Sequence, residues 1–265
     1  MKYIDIHCHL DSPDYGTEIG DVLLRMKEKE IGAITIGTDL ESSRRAVRIA
    51  EQNEEVWACI GVHPDEKNEL WDTNYELWEE LVKNKKVVGI GECGLDYYRL
   101  DMGSHSAKAT RDEQIALFKQ QIEFAMKHDK PLMLHCRSSY DDVLDILEEY
   151  NKDAGEKLRG NAHFFAGNIE QAKRFLGLGF TMSFTGVITF THDYDEVIKF
   201  LPLESIMSET DAPFVAPVPH RGKRNEPAFV VGVVERIAET RGEDRGVVSV
   251  AMVENAKRVF GLPKN

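Results

Sequence analysis

Cysteine is scarce in this chain of 265 residues, and the four present, Cys8, Cys59, Cys93 and Cys136, form no C-x-x-C pair. They are too few for a disulfide scaffold in a chain this long, and a reducing, cytoplasmic setting is expected. Long apolar runs are also missing. None approaches the roughly 20 residues that cross a bilayer, so no membrane role is expected. No charged leader with an apolar run and a small-residue cleavage site opens the sequence. Residues 1–9 already read as an apolar strand, which predicts a soluble, unprocessed protein. Basic charge is in the minority, 33 Lys and Arg against 46 Asp and Glu, for a net charge of −13. That balance excludes a broad basic surface able to track a nucleic-acid backbone over many phosphates, so a polyanionic substrate must be gripped locally. Repeats, low-complexity tracts and Pro/Gly/Ser-rich linkers are absent as well, and a single domain over 1–265 is expected.

What the chain does have is enough apolar material, 42% of its residues, to bury a full core, and a repeating beat of strand, loop and helix. Short apolar runs at 3–6, 33–36, 56–62, 87–90, 131–134, 160–164, 181–184 and 205–207 suit buried parallel strands. Amphipathic stretches such as 21–29, 42–53, 112–128, 140–150 and 169–178 lie between most of them. Residues 229–241 and 245–260 follow the last run and complete an outer ring of helices. Eight such units predict a (β/α)8 TIM barrel of the α/β class, with its active site at the C-terminal ends of the strands. The polar stretch 99–110, after the fourth strand, is long and should project from that face. It either shapes substrate access or is an exposed loop with no role.

His7-Cys8-His9 closes the first strand, and the period-two alternation of a strand sends both imidazoles to one side. Asp5 shares that side one layer deeper, where it can orient a ligand histidine. Alone, an H-x-H is as readily incidental as functional. Glu92, His135, His163 and Asp211, however, also sit at or near the ends of predicted strands, so residues distant in sequence converge on one cavity. Unpaired buried carboxylates and histidines are costly, and a metal satisfies several together. Four histidines and two carboxylates exceed one tetrahedral site, which predicts a binuclear centre with Glu92 or Asp211 bridging or nearly so. Two dications against two carboxylates leave about two positive charges to attract an anion. Imidazoles suit zinc, manganese, iron or nickel and carboxylates also tolerate magnesium, so two divalent cations, Mg, Mn or Zn, are expected without a choice among them. The same alternation points Cys8, Cys93 and Cys136 outward, against the helices, rather than to the metal.

At these residues the sequence resembles the TatD family of metal-dependent deoxyribonucleases, within the amidohydrolase-like group of barrel enzymes. The resemblance runs through Asp5-Ile6-His7-Cys8-His9-Leu10, Gly61-Val62-His63-Pro64, Gly91-Glu92-Cys93-Gly94-Leu95-Asp96-Tyr97 and Leu134-His135-Cys136-Arg137. It continues through His163-Phe164-Phe165-Ala166-Gly167, Ser208-Glu209-Thr210-Asp211-Ala212-Pro213 and a last segment from Arg221 to Pro227. The resemblance implies a metal-dependent phosphodiester hydrolase, commonly a 3′–5′ exonuclease acting on DNA ends. It also implies that His7, His9 and Asp211 hold one metal, His135 and His163 the other, and that Glu92 lies between them. The stretch 99–110 departs from the family pattern and bears on substrate preference.

Further residues can serve the substrate. His63 ends the third strand and can position a phosphate oxygen or pass a proton to the leaving group; otherwise it caps the turn before Pro64. Arg137, beyond His135, can clamp phosphate if the strand bends there, or turn outward toward a helix. Arg221, Lys223 and Arg224 form a local basic run in an acidic chain, a phosphate grip or a solvated loop. Tyr97 and Tyr98 can stack on a base of single-stranded DNA or pack beneath the long loop. In the expected mechanism a water shared by the metals attacks phosphorus, with Asp211 as ligand and proton acceptor. One rival is an amidohydrolase or esterase on the same barrel, including an aminoacyl-tRNA deacylase. Another is a non-catalytic metal or nucleic-acid binding protein.

Overall fold

The structure, a computed structural model, describes residues 1–66, 71, 73–101, 110–154 and 157–263. Eight strands, β1 (Tyr3–Cys8), β2 (Ile31–Ile36), β3 (Val56–Ile60), β4 (Val87–Asp96), β5 (Leu132–Arg137), β6 (Gly160–Ala162), β7 (Thr181–Phe184) and β8 (Ile206–Ser208), pair in parallel in sequence order. The seam between β8 and β1 is drawn together just past the strand ends. Asp211 N donates to His7 O at 2.9 Å, and His9 N to Ala212 O at 2.7 Å. Helices follow most strands, and the whole is the expected (β/α)8 barrel.

The strands form because their residues are apolar on both faces, and each face has somewhere to go. Ile34, Ile36, Trp57, Cys59 and Met133 share one buried cluster with Val253, Val259 and Phe260 of the last helix, Arg245–Phe260. Ala33, Val56, Ala58, Leu132 and Leu134 alternate with them and join a larger cluster with the other helices. The first cluster fills the barrel and the second seals the ring around it. Truncating a fully buried ring such as Phe118 or Phe175 to Ala would cost about 3–5 kcal/mol.

Helix starts are fixed locally. Asp39 with Ser42, Thr110 with Glu113 and Asn168 with Gln171 each make a reciprocal capping box, which sets where the preceding loop ends. The predicted stretches 42–53, 112–128 and 169–178 are observed as Leu40–Gln52, Arg111–Lys127 and Ile169–Gly177. β4 runs further than expected, to Asp96, so Glu92 lies within a strand rather than after one. Of the stretch 99–110, the first residues lie in a single turn, Tyr98–Asp101, and Thr110 caps the next helix. Residues 102–109 lie outside the described residues. No helix among the described residues is long and apolar enough to cross a membrane.

Candidate metal centre

Two strands carry an extra residue at the points where ligand candidates occur. In β1, Asp5 pairs with Ala33 but Cys8 with Thr35, three steps against two. In β4, Ile90 pairs with Leu132 but Cys93 with Leu134, the same mismatch. Each is a bulge, which flips the phase of alternation. Before the slip Ile4 and Ile6 face the barrel interior; after it Cys8 packs on the helix side, which turns His7 and His9 inward. Ile90 and Cys93 likewise both pack on the helix side, and Glu92 between them is turned inward. At Gly91 φ is +142°, and a Cβ there would lie 2.3 Å from Met133 O, so only glycine fits beside Glu92.

The slip corrects one expectation. Asp5 falls on the Tyr3 side, not beneath the histidines, and its carboxylate accepts from His7 N at 3.2 Å, Thr210 N at 3.0 Å and Thr210 Oγ1 at 2.5 Å. It ties β1 to the loop after β8 instead of orienting an imidazole. The expected placement of Cys8, Cys93 and Cys136 is observed: all are free, buried and on the helix side.

Around the inward Glu92 the other candidates gather. His135 Nδ1 lies 2.6 Å and His163 Nε2 2.9 Å from Oε1, with His63 Nε2 at 3.7 Å. On the other side His7 Nε2 and His9 Nε2 lie 3.5 and 3.9 Å from Oε2, and 3.6 and 3.5 Å from Asp211 Oδ1. His7, His9 and Asp211 form one group of donor atoms within 4.8 Å of one another, and Glu92 belongs to two further groups, with His7 and His163 and with His63 and His135. The His7 and His163 rings stack at 3.8 Å. The backbone is strained where it delivers two of these residues: φ is +55° at Asp211 and +46° at Phe164, next to His163.

Two carboxylates not singled out from the sequence complete the cluster. Glu209, fully buried, has Oε2 3.6 Å from His163 Nδ1 and 3.9 Å from His7 Nδ1, while its Oε1 accepts from Phe164 N. Asp96 Oδ2 lies 3.3 Å from His135 Nε2. The signal in each case was an acid at a strand's C-terminal end, Asp96 as the last residue of β4 and Glu209 just past β8, within stretches already noted. Asn225 was also not singled out; it is fully buried, and its amide donates to Thr210 O at 2.9 Å and Phe214 O at 2.6 Å and so shapes the loop carrying Asp211.

Burial pushes Glu92 up, but the His163 and His7 charges and hydrogen bonds from His135 and His163 hold it well below the usual carboxylate range. Burial likewise opposes charge on His9, yet the Asp211 and Glu92 carboxylates raise it to about 9. His135, beside Asp96 and Glu92, and His163, beside Glu92 and Glu209, are also raised against burial. Burial and the His163 charge lower His7. Both nitrogens of His7, Nδ1 of His163 and Oε2 of Glu209 are buried without a hydrogen-bond partner. Imidazole nitrogens and carboxylate oxygens converging with unmet coordination fit divalent metal ions.

His63 sits in the same cavity. Burial and the His135 charge lower it to about 4, and its Nδ1 accepts from Asp65 N at 3.1 Å. The four cations expected to grip phosphate differ in how free they are. Arg137 needs no bend: two residues on from His135 it keeps the inward phase, pairs with Asp96 in the ladder and lies exposed with its guanidinium 4.0 Å over Tyr98. Arg221 is exposed, 3.8 Å over Phe190, and Lys223 is exposed. Arg224 is tied up, donating to Asp14 O and Glu18 Oε2 across the Tyr15 ring. Tyr97 is buried and donates to Asp142 Oδ2 at 2.8 Å, whereas Tyr98 is exposed.

Residues 4–261 match the family model described as TatD related DNase. The chain is 35% identical to the uncharacterized metal-dependent hydrolase YabD of Bacillus subtilis, covering 97% of this chain and 98% of that one. It is 30% identical to the 3′–5′ ssDNA/RNA exonuclease TatD of Escherichia fergusonii, covering 97% and 98%. Among solved structures, YJJV, a TatD homolog from Escherichia coli K12, superposes with a TM-score of 0.88 at 28% identity over 99% of both chains.

Proposed function

The chain belongs to the family of TatD-related DNases, metal-dependent hydrolases, and from that premise we propose that it is a 3′–5′ exonuclease that removes nucleotides from single-stranded DNA with two divalent cations bound. The observation that carries the proposal is Glu92 set between two groups of donors: His7 and His9, which face its Oε2 and are joined by Asp211, and His135 and His163, which face its Oε1. These residues would hold the pair of cations, Mg, Mn or Zn. Such ions supply Lewis acidity toward a phosphoryl oxygen and bring the pKa of water to about 7.

The chain's own groups do the rest. Asp211, lowered by its hydrogen bond to His9 despite burial, is ionised at neutral pH and accepts the proton of the attacking water. His63 is neutral there. Because Nδ1 accepts from Asp65 N, its proton sits on Nε2, which faces Glu92 and donates a hydrogen bond to a phosphoryl oxygen. Arg137, Arg221 and Lys223 offer local positive charge at the strand ends, as an acidic chain must if it is to hold a polyanion. The exonuclease direction and single-stranded preference are supported by the description of the Escherichia fergusonii relative. Parallel assays on an oligonucleotide and on amide and ester substrates, including an aminoacyl-tRNA, test the bond class. Turnover confined to the amide or ester would overturn the nuclease reading.

A further inference from the structure

We propose that two nucleobase-stacking subsites flank the metal cluster, Tyr98 on the His135 side and Phe214 on the His9 side, one for each nucleoside joined by the phosphodiester that is cut. The inference rests on the nuclease reading above. A continuous chain of contacts runs between the two rings. Tyr98 N donates to Asp96 Oδ1 at 3.0 Å, and Asp96 Oδ2 lies 3.3 Å from His135, which is 2.6 Å from Glu92. From Glu92 Oε2 it is 3.9 Å to His9, whose ring lies 6.0 Å from that of Phe214. Phe214 N also donates to Asp211 O at 2.9 Å. Each ring is thus hung directly from a residue of the cluster, at opposite ends of it.

Both rings are open to solvent, Tyr98 by 44% and Phe214 by 53%. Of the other exposed aromatics among the described residues, Tyr75 and Phe200 lie on outer helices, while Phe190 follows β7 under Arg221. These two instead follow the C-terminal ends of β4 and β8, where a barrel binds its substrate. Tyr98 also has a cationic companion. The Arg137 guanidinium covers Tyr98 at 4.0 Å; on the other side Arg221 covers a different ring, Phe190, at 3.8 Å, and Thr189 beside it accepts from Val218 N, in the segment that follows Phe214. A solvent-open aromatic face beside the cluster, backed by a guanidinium at Tyr98, suits a base attached to a phosphate, and because every base has a π face it reads none in particular. With the phosphodiester centred on Glu92, one base meets each wall.

The test uses the metal-loaded full chain with a short thymidylate oligomer and an abasic oligomer of the same length, which has the same phosphates and no bases. The expected result is a KM lower for the base-bearing oligomer by about five- to a hundredfold for each base engaged. Tyr98→Ala and Phe214→Ala should each narrow that ratio, with metal content and thermal midpoint used to verify folding, and Tyr98→Phe and Phe214→Tyr should restore it. Equal KM values for the two oligomers, or a ratio untouched by either alanine variant, would overturn the subsites while leaving the nuclease reading in place. Cleavage of neither oligomer would remove the nuclease reading, and the subsites with it.

Discussion

Glu209 Oε2 lies 3.6 Å from His163 Nδ1, and the same oxygen lies 3.9 Å from Nδ1 of His7. One buried carboxylate therefore faces the far nitrogens of two stacked imidazoles whose near nitrogens face Glu92. An acceptor in that place favours the proton on Nδ1 and leaves Nε2 free as a ligand atom. Glu209→Gln should weaken divalent-cation binding by about 10–100-fold, read by competition with a chromophoric chelator. Wild-type affinity in that variant would show that the carboxylate orients nothing.

Metal binding should release protons. A histidine whose pKa in the folded metal-free protein is raised stays charged until the pH passes that value. His9, held near 9 by Asp211 and Glu92 against the effect of burial, is therefore an imidazolium at pH 7, and His135 and His163 shift the same way. A metal takes only the neutral ring, so affinity should rise with pH up to about 9. Calorimetric titration in two buffers of different ionisation enthalpy would count the protons; binding heats independent of buffer would contradict this.

Asp211→Asn should cut turnover by about 10²–10⁴-fold, measured as nucleotide release, with the fold retained. The backbone argument favours this substitution over alanine. Asp211 sits at φ +55°, a conformation that Asp and Asn adopt more readily than other L-residues. Wild-type turnover in the variant would remove the assigned role.

Asn225→Ala should lower stability by about 1–3 kcal/mol or more, seen as a drop in the urea midpoint. It leaves Thr210 O and Phe214 O without their donor in a buried loop. Because that loop carries Asp211, activity should fall further than stability. An unchanged midpoint would mean water replaces the amide.

The barrel was legible because its strands are short apolar runs with polar residues at their ends, and helix Arg245–Phe260 has the bounds its pattern predicts. The candidate ligand residues were legible for the same reason: His135 and Asp211 are polar where a buried run stops. The bulges in β1 and β4 were not. Alternation relates His7 to His9 and to Cys8 correctly, but counted from Ile4 or Ile90 it turns the inward residues out, and Asp5 was misplaced by that step. Whether a strand gains a residue is decided by its neighbours' register, which no local pattern carries. Glu209 and Asn225 escaped for a related reason, since their partners lie on other segments of the chain. Arg224 looked like a free cation because Glu18, which pairs with it, is about two hundred positions away.

The most direct test of the account is stepwise shortening of end-labelled single-stranded DNA by metal-stripped protein resupplied in turn with magnesium, manganese or zinc, beside a His135→Ala control. The account expects shortening from the 3′ end that requires metal and is lost in the control. No shortening with any of these ions, in protein whose bound metal is verified by elemental analysis, would contradict it.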